Sequence, residues 1–123
     1  MKKIRNFLAS LVTAILTGIM LVACSVVPDS VEKAKERMER QGYSVTIDDD
    51  PELELKKYGA HTVLYAFDKD GSDNSIVAVR FQYEEQAENF YEDHDYNELH
   101  AVYRQEEEWV FWGTKEAEFD FTY

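Results

Sequence analysis

Three aspartates stand at close spacing in a short polar segment that could bind a cation. Asp68, Asp70 and Asp73 alternate with turn-forming residues, and carboxylate oxygens are the ligands that Ca²⁺ prefers. The spacing departs from an EF-hand loop, because Gly71 stands at loop position four rather than six and Val79 replaces the bidentate glutamate. A weak calcium site is one interpretation. A solvated turn, in which Asp and Asn satisfy the local backbone, is the simpler one.

The other reactive residue types form no catalytic pattern. The chain has no glycine-rich phosphate loop, no HExxH motif and no serine in a recognisable nucleophile context. His94 and His100 stand close to Asp93 and Asp95. However, His94 falls on the apolar face of a predicted helix and His100 on a predicted strand, so their rings are not expected to converge on a metal. We therefore expect no enzymatic role and no bound cofactor.

The first 23 residues have the arrangement of a signal peptide. Lys2, Lys3 and Arg5 form a basic start, and residues 7–22 carry no charge. The sequence Leu21-Val22-Ala23-Cys24 follows, and it resembles the lipobox of bacterial lipoprotein precursors. The resemblance implies cleavage before Cys24 and a diacylglyceryl group on its sulfur. Two acyl chains anchor a protein stably, because each buried CH₂ group contributes about 0.8 kcal/mol.

This interpretation divides the chain into a signal peptide over 1–23, a lipidated cysteine with a short tether over 24–28, and one folded domain over 29–123. It implies a location on the outer face of the cell membrane, or on the periplasmic side of a membrane in a Gram-negative envelope. A plain transmembrane anchor and secretory cleavage with release are the alternatives. Segments 79–85 and 113–117 are similar to those of small uncharacterised lipoproteins of low-GC Gram-positive bacteria, a likeness that implies no function.

Charge narrows the class of partner. The full chain has 13 basic and 25 acidic residues, and loss of the three basic residues of the signal peptide leaves 10 basic residues and a formal charge of −15. Such a domain is not expected to bind nucleic acid. The acidity is typical of a solvated exterior, and it also suits attraction of a divalent cation or of a basic peptide or protein. The membrane itself is expected as a partner only through the lipid on Cys24.

Aromatic side chains are frequent for a domain that has no disulfide, since Cys24 is the only cysteine. The strands predicted around 63–67 and 109–112 are apolar on both faces. Either these strands are central and covered on both sides, or some of their rings stay exposed and bind a partner. The candidates for such an exposed aromatic surface are Trp112, Tyr65, Tyr103 and Tyr83.

Periodicity predicts the elements that position these residues. In chain order it predicts a helix over 30–41, a strand over 43–47, a short helical turn over 50–59, strands over 61–67 and 75–82, a helix over 83–94, strands over 99–104 and 109–112, and a last helix from 113. A terminal strand over 119–121 is the alternative to the last helix. The order predicts an α+β fold, with an antiparallel sheet of about five strands and two to three helices packed on it.

These patterns favour a membrane-anchored lipoprotein that acts as a non-catalytic binding or interaction module. A cation-responsive, calcium-binding acidic domain is one alternative function. An accessory subunit of an envelope complex is the other.

Overall fold

The computed structural model describes residues 26–95 and 102–123. Its helices and strands are, in chain order, α1 (Val31–Arg40), β1 (Tyr43–Asp48), α2 (Leu53–Lys57), β2 (Ala60–Asp68), β3 (Ser75–Phe81), α3 (Glu84–Asp93), β4 (Val102–Glu106), β5 (Trp109–Gly113) and α4 (Lys115–Thr122). Within these two ranges, no helix combines the length and the apolar character that crossing a membrane requires. The predicted signal peptide and Cys24 lie outside the described residues, as do Leu99, His100 and Ala101 of the strand predicted over 99–104.

The strands form one antiparallel sheet in the order β1-β2-β3-β5-β4. The last strand of the second hairpin, rather than its first, pairs with β3. This order follows from side-chain polarity, because β5 (Trp109–Gly113) is largely buried whereas β4 carries Arg104, Gln105 and Glu106 and suits an edge. The predicted α+β fold with a five-stranded antiparallel sheet is therefore confirmed.

Helices α1 and α4 cover one face of the sheet, which we call the first face. Ser30 caps α1 by accepting from the backbone N–H of Lys33, and Thr114 caps α4 by accepting from that of Ala117. The predicted last helix is therefore confirmed, and the alternative, a terminal strand over 119–121, is wrong. The core on this face consists of Val27, Ala34, Met38, Tyr43, Leu64, Ala66, Ile76, Ala78, Trp109, Phe111, Ala117 and Phe121.

Helices α2 and α3 cover the opposite, second face, but they do so unevenly. α3 packs on β3, β4 and β5, while the five-residue α2 reaches only β2. The core on this face consists of Ala60, Val63, Val79, Phe81, Ala87, Phe90, Tyr103 and Val110. Among the described residues, Tyr65 and Phe67, which lie towards the β1 edge, remain 41% and 52% exposed. The strands predicted to be apolar on both faces are therefore covered on the first face and only partly on the second.

Element bounds differ from the predictions at two places. The short helix starts at Leu53 with Glu52 as its N-cap, not at Asp50, because the Asp48 carboxylate accepts from the Asp50 backbone N–H and holds these residues in a turn. β4 continues to Glu106, so the turn between β4 and β5 consists of residues 107–108 rather than the predicted 105–108. Four helices, rather than two to three, pack on the sheet.

The segment predicted as a free tether belongs to the fold. The Val26 N–H donates to the Thr122 carbonyl at 2.6 Å, and Trp109 Nε1–H donates to the Pro28 carbonyl at 3.0 Å. Val27 is only 3% exposed, and burying a valine side chain contributes about 1.5–3 kcal/mol. Residues 26–28, which the sequence pattern assigns to the tether, therefore pack with the fold, because a buried valine and a hydrogen bond from a buried tryptophan hold them there.

Candidate functional site

One row of side chains crosses the second face of the sheet at right angles to the strands. The register pairs Thr46 with Tyr65, Tyr65 with Val77, Val77 with Trp112, and Trp112 with Tyr103. Directly opposed residues in an antiparallel sheet point to the same side and lie about 4.5–5.5 Å apart. Three of the four aromatic residues singled out by sequence, Tyr65, Trp112 and Tyr103, thus stand in one line.

A cavity of about 200 Å³ opens at the middle of this row, and we call it the acidic groove. Exposed carboxylates of Glu52 and Glu54, which flank the start of α2, stand at its mouth. Its complete lining is Glu52, Glu54, Leu55, Val63, Tyr65, Val77, Val79, Phe90 and Trp112. An apolar floor with a few polar groups at the mouth is typical of a binding site in proteins.

Contacts between α2 and α3 fix the wall of the groove. The Tyr58 ring packs edge-on against Phe90 at 5.3 Å, and the Tyr58 hydroxyl donates to the Asp93 carboxylate at 2.8 Å. This hydrogen bond raises the pKa of Tyr58. His94 Nε2 lies 3.6 Å from Glu54 Oε2. The two helices are therefore linked on both sides of Phe90.

Trp112 is half-buried, and it contributes to both the core and the groove. Its ring stacks on Phe90 with centroids 6.4 Å apart, and it meets Tyr103 at the same distance. The remainder of the ring lines the acidic groove. The sequence left open whether Trp112 is core or surface; the structure assigns part of the side chain to each.

Tyr103 cannot serve as an exposed anchor, because it is only 6% exposed. Its ring stacks on Tyr91 at 4.6 Å, and its hydroxyl lies 2.9 Å from the Tyr91 carbonyl oxygen and 3.1 Å from that of His94. α3 covers it. Tyr103 therefore holds the end of α3 on the sheet, and its predicted place on an exposed surface is corrected. Tyr83 is exposed, but it does not line the groove.

The acidic hairpin loop has the geometry of a capped turn. Asp68 accepts from the Asp70 backbone N–H at 2.9 Å and from the Ser72 hydroxyl at 2.7 Å, and these bonds lower the pKa of Asp68. Asp73 makes no third contact to this carboxylate. Over 26–95 and 102–123, no group of three or more His, Cys, Asp or Glu side chains is arranged to hold a metal ion. The loop carboxylates are among those residues, so the geometry gives the predicted calcium site at Asp68, Asp70 and Asp73 no support.

His94, which the sequence places on the apolar face of a helix, lies beside aromatic rings. Its ring stacks on Phe90 with centroids 4.1 Å apart, and its Nδ1 is 2.9 Å from the Phe90 carbonyl oxygen. His100, the other member of the predicted cluster, is outside the described residues.

A larger cavity, of about 510 Å³, opens on the first face beside the start of α1. Its inner wall includes Thr62 and Arg80, and exposed side chains of both charges stand around its mouth, among them Glu32, Lys35 and Asp49. The Arg80 guanidinium lies 5.0 Å from the Trp109 ring centroid, and its Nη1 is buried without a hydrogen-bond partner. Because that atom has no accessible surface, it is not available to a ligand entering the cavity.

Sequence reasoning did not find three contributors to the groove. Val77 reads as an ordinary strand residue, and the carboxylates of Glu52 and Glu54 are two among 25 acidic residues. Their position depends on the strand register and on where α2 begins. The only available signal was the alternation of Val63, Tyr65 and Phe67 along β2, which places all three on one face.

The chain matches no family model, and comparison with curated proteins and with solved structures finds no match either.

Proposed function

We propose that this chain is a membrane-anchored lipoprotein, attached through Cys24 on the outer face of the cell membrane, that binds a basic peptide or protein segment non-catalytically in the acidic groove. One observation carries the binding part of the proposal. The side chains of Tyr65, Val77 and Trp112 line the same cavity as the exposed residues Glu52 and Glu54.

A lysine or arginine side chain fits this combination. Such side chains bury an aliphatic stem against apolar surface while the charged head stays in a polar environment. The stem would lie on Val77 and the rings of Tyr65 and Trp112, and the cation would face the two carboxylates. A cation close to an aromatic face gains a further 0.5–1 kcal/mol or so at an exposed site.

The charge of the whole domain supports the same class of partner. A formal charge of −15 on the processed chain repels acidic segments and speeds the approach of basic ones at low salt. Rim charges act mainly on the association rate and on its salt dependence, while the partly desolvated aromatic residues supply most of the affinity.

Two matched pairs of variants test the groove. Tyr65→Ser removes a groove residue, and Phe67→Ser removes another exposed ring from the same strand outside the groove. Glu52→Gln removes a carboxylate at the mouth and Glu85→Gln removes one on α3 away from it. Both members of each pair are exposed, so the fold should tolerate all four changes.

The measurement is a calorimetric titration with hexapeptides of equal length that contain lysine, arginine or glutamate. We expect basic peptides to bind and acidic ones not to, with affinity falling as salt rises. Tyr65→Ser should weaken binding about tenfold, which corresponds to about 1.4 kcal/mol. Phe67→Ser and Glu85→Gln should bind as the wild type does. Equal affinity for basic and acidic peptides, or equal loss from Tyr65→Ser and Phe67→Ser, would contradict the proposal.

A further inference from the structure

The described chain begins at a fixed point rather than at a loose end. Besides the Val26–Thr122 hydrogen bond, Arg37 Nη1 donates to the carbonyl oxygens of Val26 and Phe121, at 2.6 Å and 2.7 Å. Arg37 thereby ties the start of the chain to both α1 and the end of α4. Whatever precedes Val26 leaves the domain beside the C-terminus of α4.

Only Ser25 separates this fixed point from Cys24. Two consecutive trans peptide units span at most about 7.6 Å between Cα atoms. The headgroup region on each side of the hydrocarbon core is about 5–8 Å thick. A lipid on Cys24 therefore holds the end of α4 close to the headgroup region of the bilayer.

The side chains at this point suit a membrane interface. Val26, Phe119 and Tyr123, which we call the anchor face, are each more than half exposed. Phe119 and Tyr123 stack with their ring centroids 4.5 Å apart, one helical turn from each other on α4. Aromatic side chains, tyrosine above all, concentrate at the level of lipid headgroups because one end is apolar and the other polar.

The charges close to the anchor face favour the same surface. Arg37 and Arg40 lie in the last turn of α1, and Arg37 donates to the Val26 carbonyl oxygen. Among the α4 carboxylates, that of Asp120 accepts a hydrogen bond from the buried Tyr43 hydroxyl at 2.8 Å, and Glu116 is exposed. Cationic side chains near an anionic leaflet each contribute about 1 kcal/mol of attraction.

We propose that the anchor face docks on the lipid bilayer, so that the first face of the sheet lies towards the membrane and the acidic groove opens away from it. This inference rests on the lipid attachment at Cys24 in the proposed function. We name a lipid surface as the occupant of the anchor face because Cys24 and Ser25 come directly before Val26, which is fixed beside the end of α4. It also deepens the function, since α1 and α4 stand between the groove and the bilayer and leave the groove open to a partner in solution.

Depth measurements on reconstituted protein test the docking. The full chain is expressed in a bacterial host, purified from membranes, and reconstituted into vesicles with one-fifth anionic lipid. Lipid on Cys24, the only cysteine, leaves a newly introduced cysteine as the only free thiol for a spin label. Glu116→Cys places the label on α4 beside Phe119. Glu88→Cys places it at an equally exposed position on α3, on the second face.

We expect the label at 116 to lose most of its contact with a water-soluble paramagnetic nickel complex and to gain contact with oxygen, which concentrates in the bilayer. The label at 88 should behave as in water. Replacing the anchor face by Phe119→Ser with Tyr123→Ser should return the label at 116 to water, whereas the control pair Phe67→Ser with Tyr83→Ser should not.

The outcomes separate this inference from the proposed function. A chain whose mass shows no lipid on Cys24 overturns both the anchoring and the docking. A lipidated chain whose label at 116 stays in water overturns the docking alone and leaves groove binding untouched. Spectral broadening at 116 that disappears on dilution with unlabelled protein would assign the anchor face to a second copy of the chain, and would also overturn docking on the bilayer.

Discussion

Trp112→Ala tests how much the Trp112 side chain contributes to the stability of the fold and how much it contributes to peptide binding in the acidic groove. Complete burial makes a Trp→Ala substitution cost about 3–5 kcal/mol. Trp112 is half-buried and packs against Phe90 and Tyr103, so we expect a smaller loss, of about 2 kcal/mol, in the free energy of unfolding. In a domain of this size 1 kcal/mol corresponds to about 4–8 °C, which predicts a fall in Tm of roughly 8–16 °C.

Tyr65→Ser is the matched comparison, because Tyr65 stands in the same cross-strand row and is far more exposed. Losing its cross-strand contacts should cost about 0.2–1 kcal/mol. Urea unfolding followed by far-ultraviolet circular dichroism measures both variants without relying on tryptophan fluorescence. Both should lose affinity for basic peptides, but only Trp112→Ala should lose much stability. A Trp112→Ala variant with the melting temperature of the wild type would refute the packing described for this side chain.

Three further predictions concern the supports of the fold. Gly59→Ala should lower the free energy of unfolding in urea by about 2 kcal/mol, because φ is +97° and a Cβ would meet the Gln86 side chain that caps α3. Gly42→Ala has the same φ but open space around the Cβ, so it should cost only about 1 kcal/mol. Burial and the Asp120 hydrogen bond raise the pKa of Tyr43 above its unfolded value of about 10. The free energy of unfolding should therefore fall as the pH rises above 10, and it should fall less in Tyr43→Phe. Unfolding measured as a function of pH tests this. Arg37→Met should speed hydrogen exchange at the start of the chain, which hydrogen-exchange mass spectrometry measures.

Each of these has an outcome that would contradict it. If Gly59→Ala and Gly42→Ala lower the free energy of unfolding equally, the clash with Gln86 has no effect on stability. Identical alkaline unfolding of Tyr43→Phe and the wild type would mean that this hydroxyl ionises as freely in the fold as outside it. Unchanged exchange in Arg37→Met would mean that other contacts hold the first described residues.

Local patterns predicted most of the fold. The alternation of apolar residues along β2 and β3, with turn formers between them, gave a hairpin because each strand must bury one face. Ser30 and Thr114 marked the starts of α1 and α4, since their side chains accept the first free backbone N–H groups. These signals are contained in a few adjacent residues.

The elements that the sequence missed depend on distant partners. Val27 and Pro28 read as tether, because their burial depends on Trp109, which is 81 positions beyond Pro28 in the chain. Tyr103 and Tyr65 have the same residue type and lie on the same face. Tyr103 is buried because α3 packs on β4, whereas Tyr65, which lies on β2 beside the five-residue α2, is 41% exposed. Helix placement of this kind is a tertiary property.

The candidate site was predicted in part. The sequence identified Trp112 and Tyr65 as candidates because they lie in strands that are apolar on both faces. The net charge predicted that acidic residues would surround them. It could not identify Glu52 and Glu54 among so many carboxylates, because their role follows from where α2 begins.

The central claim is that the acidic groove binds a basic segment, and amide chemical shifts test it most directly. Titration of isotope-labelled protein with a lysine-containing hexapeptide should shift the resonances of Tyr65, Val77 and Trp112 together, with one dissociation constant that weakens as salt rises. The resonances of α1 and α4 should stay in place. Shifts confined to the first face, or spread evenly over the acidic surface without saturation, would contradict the account.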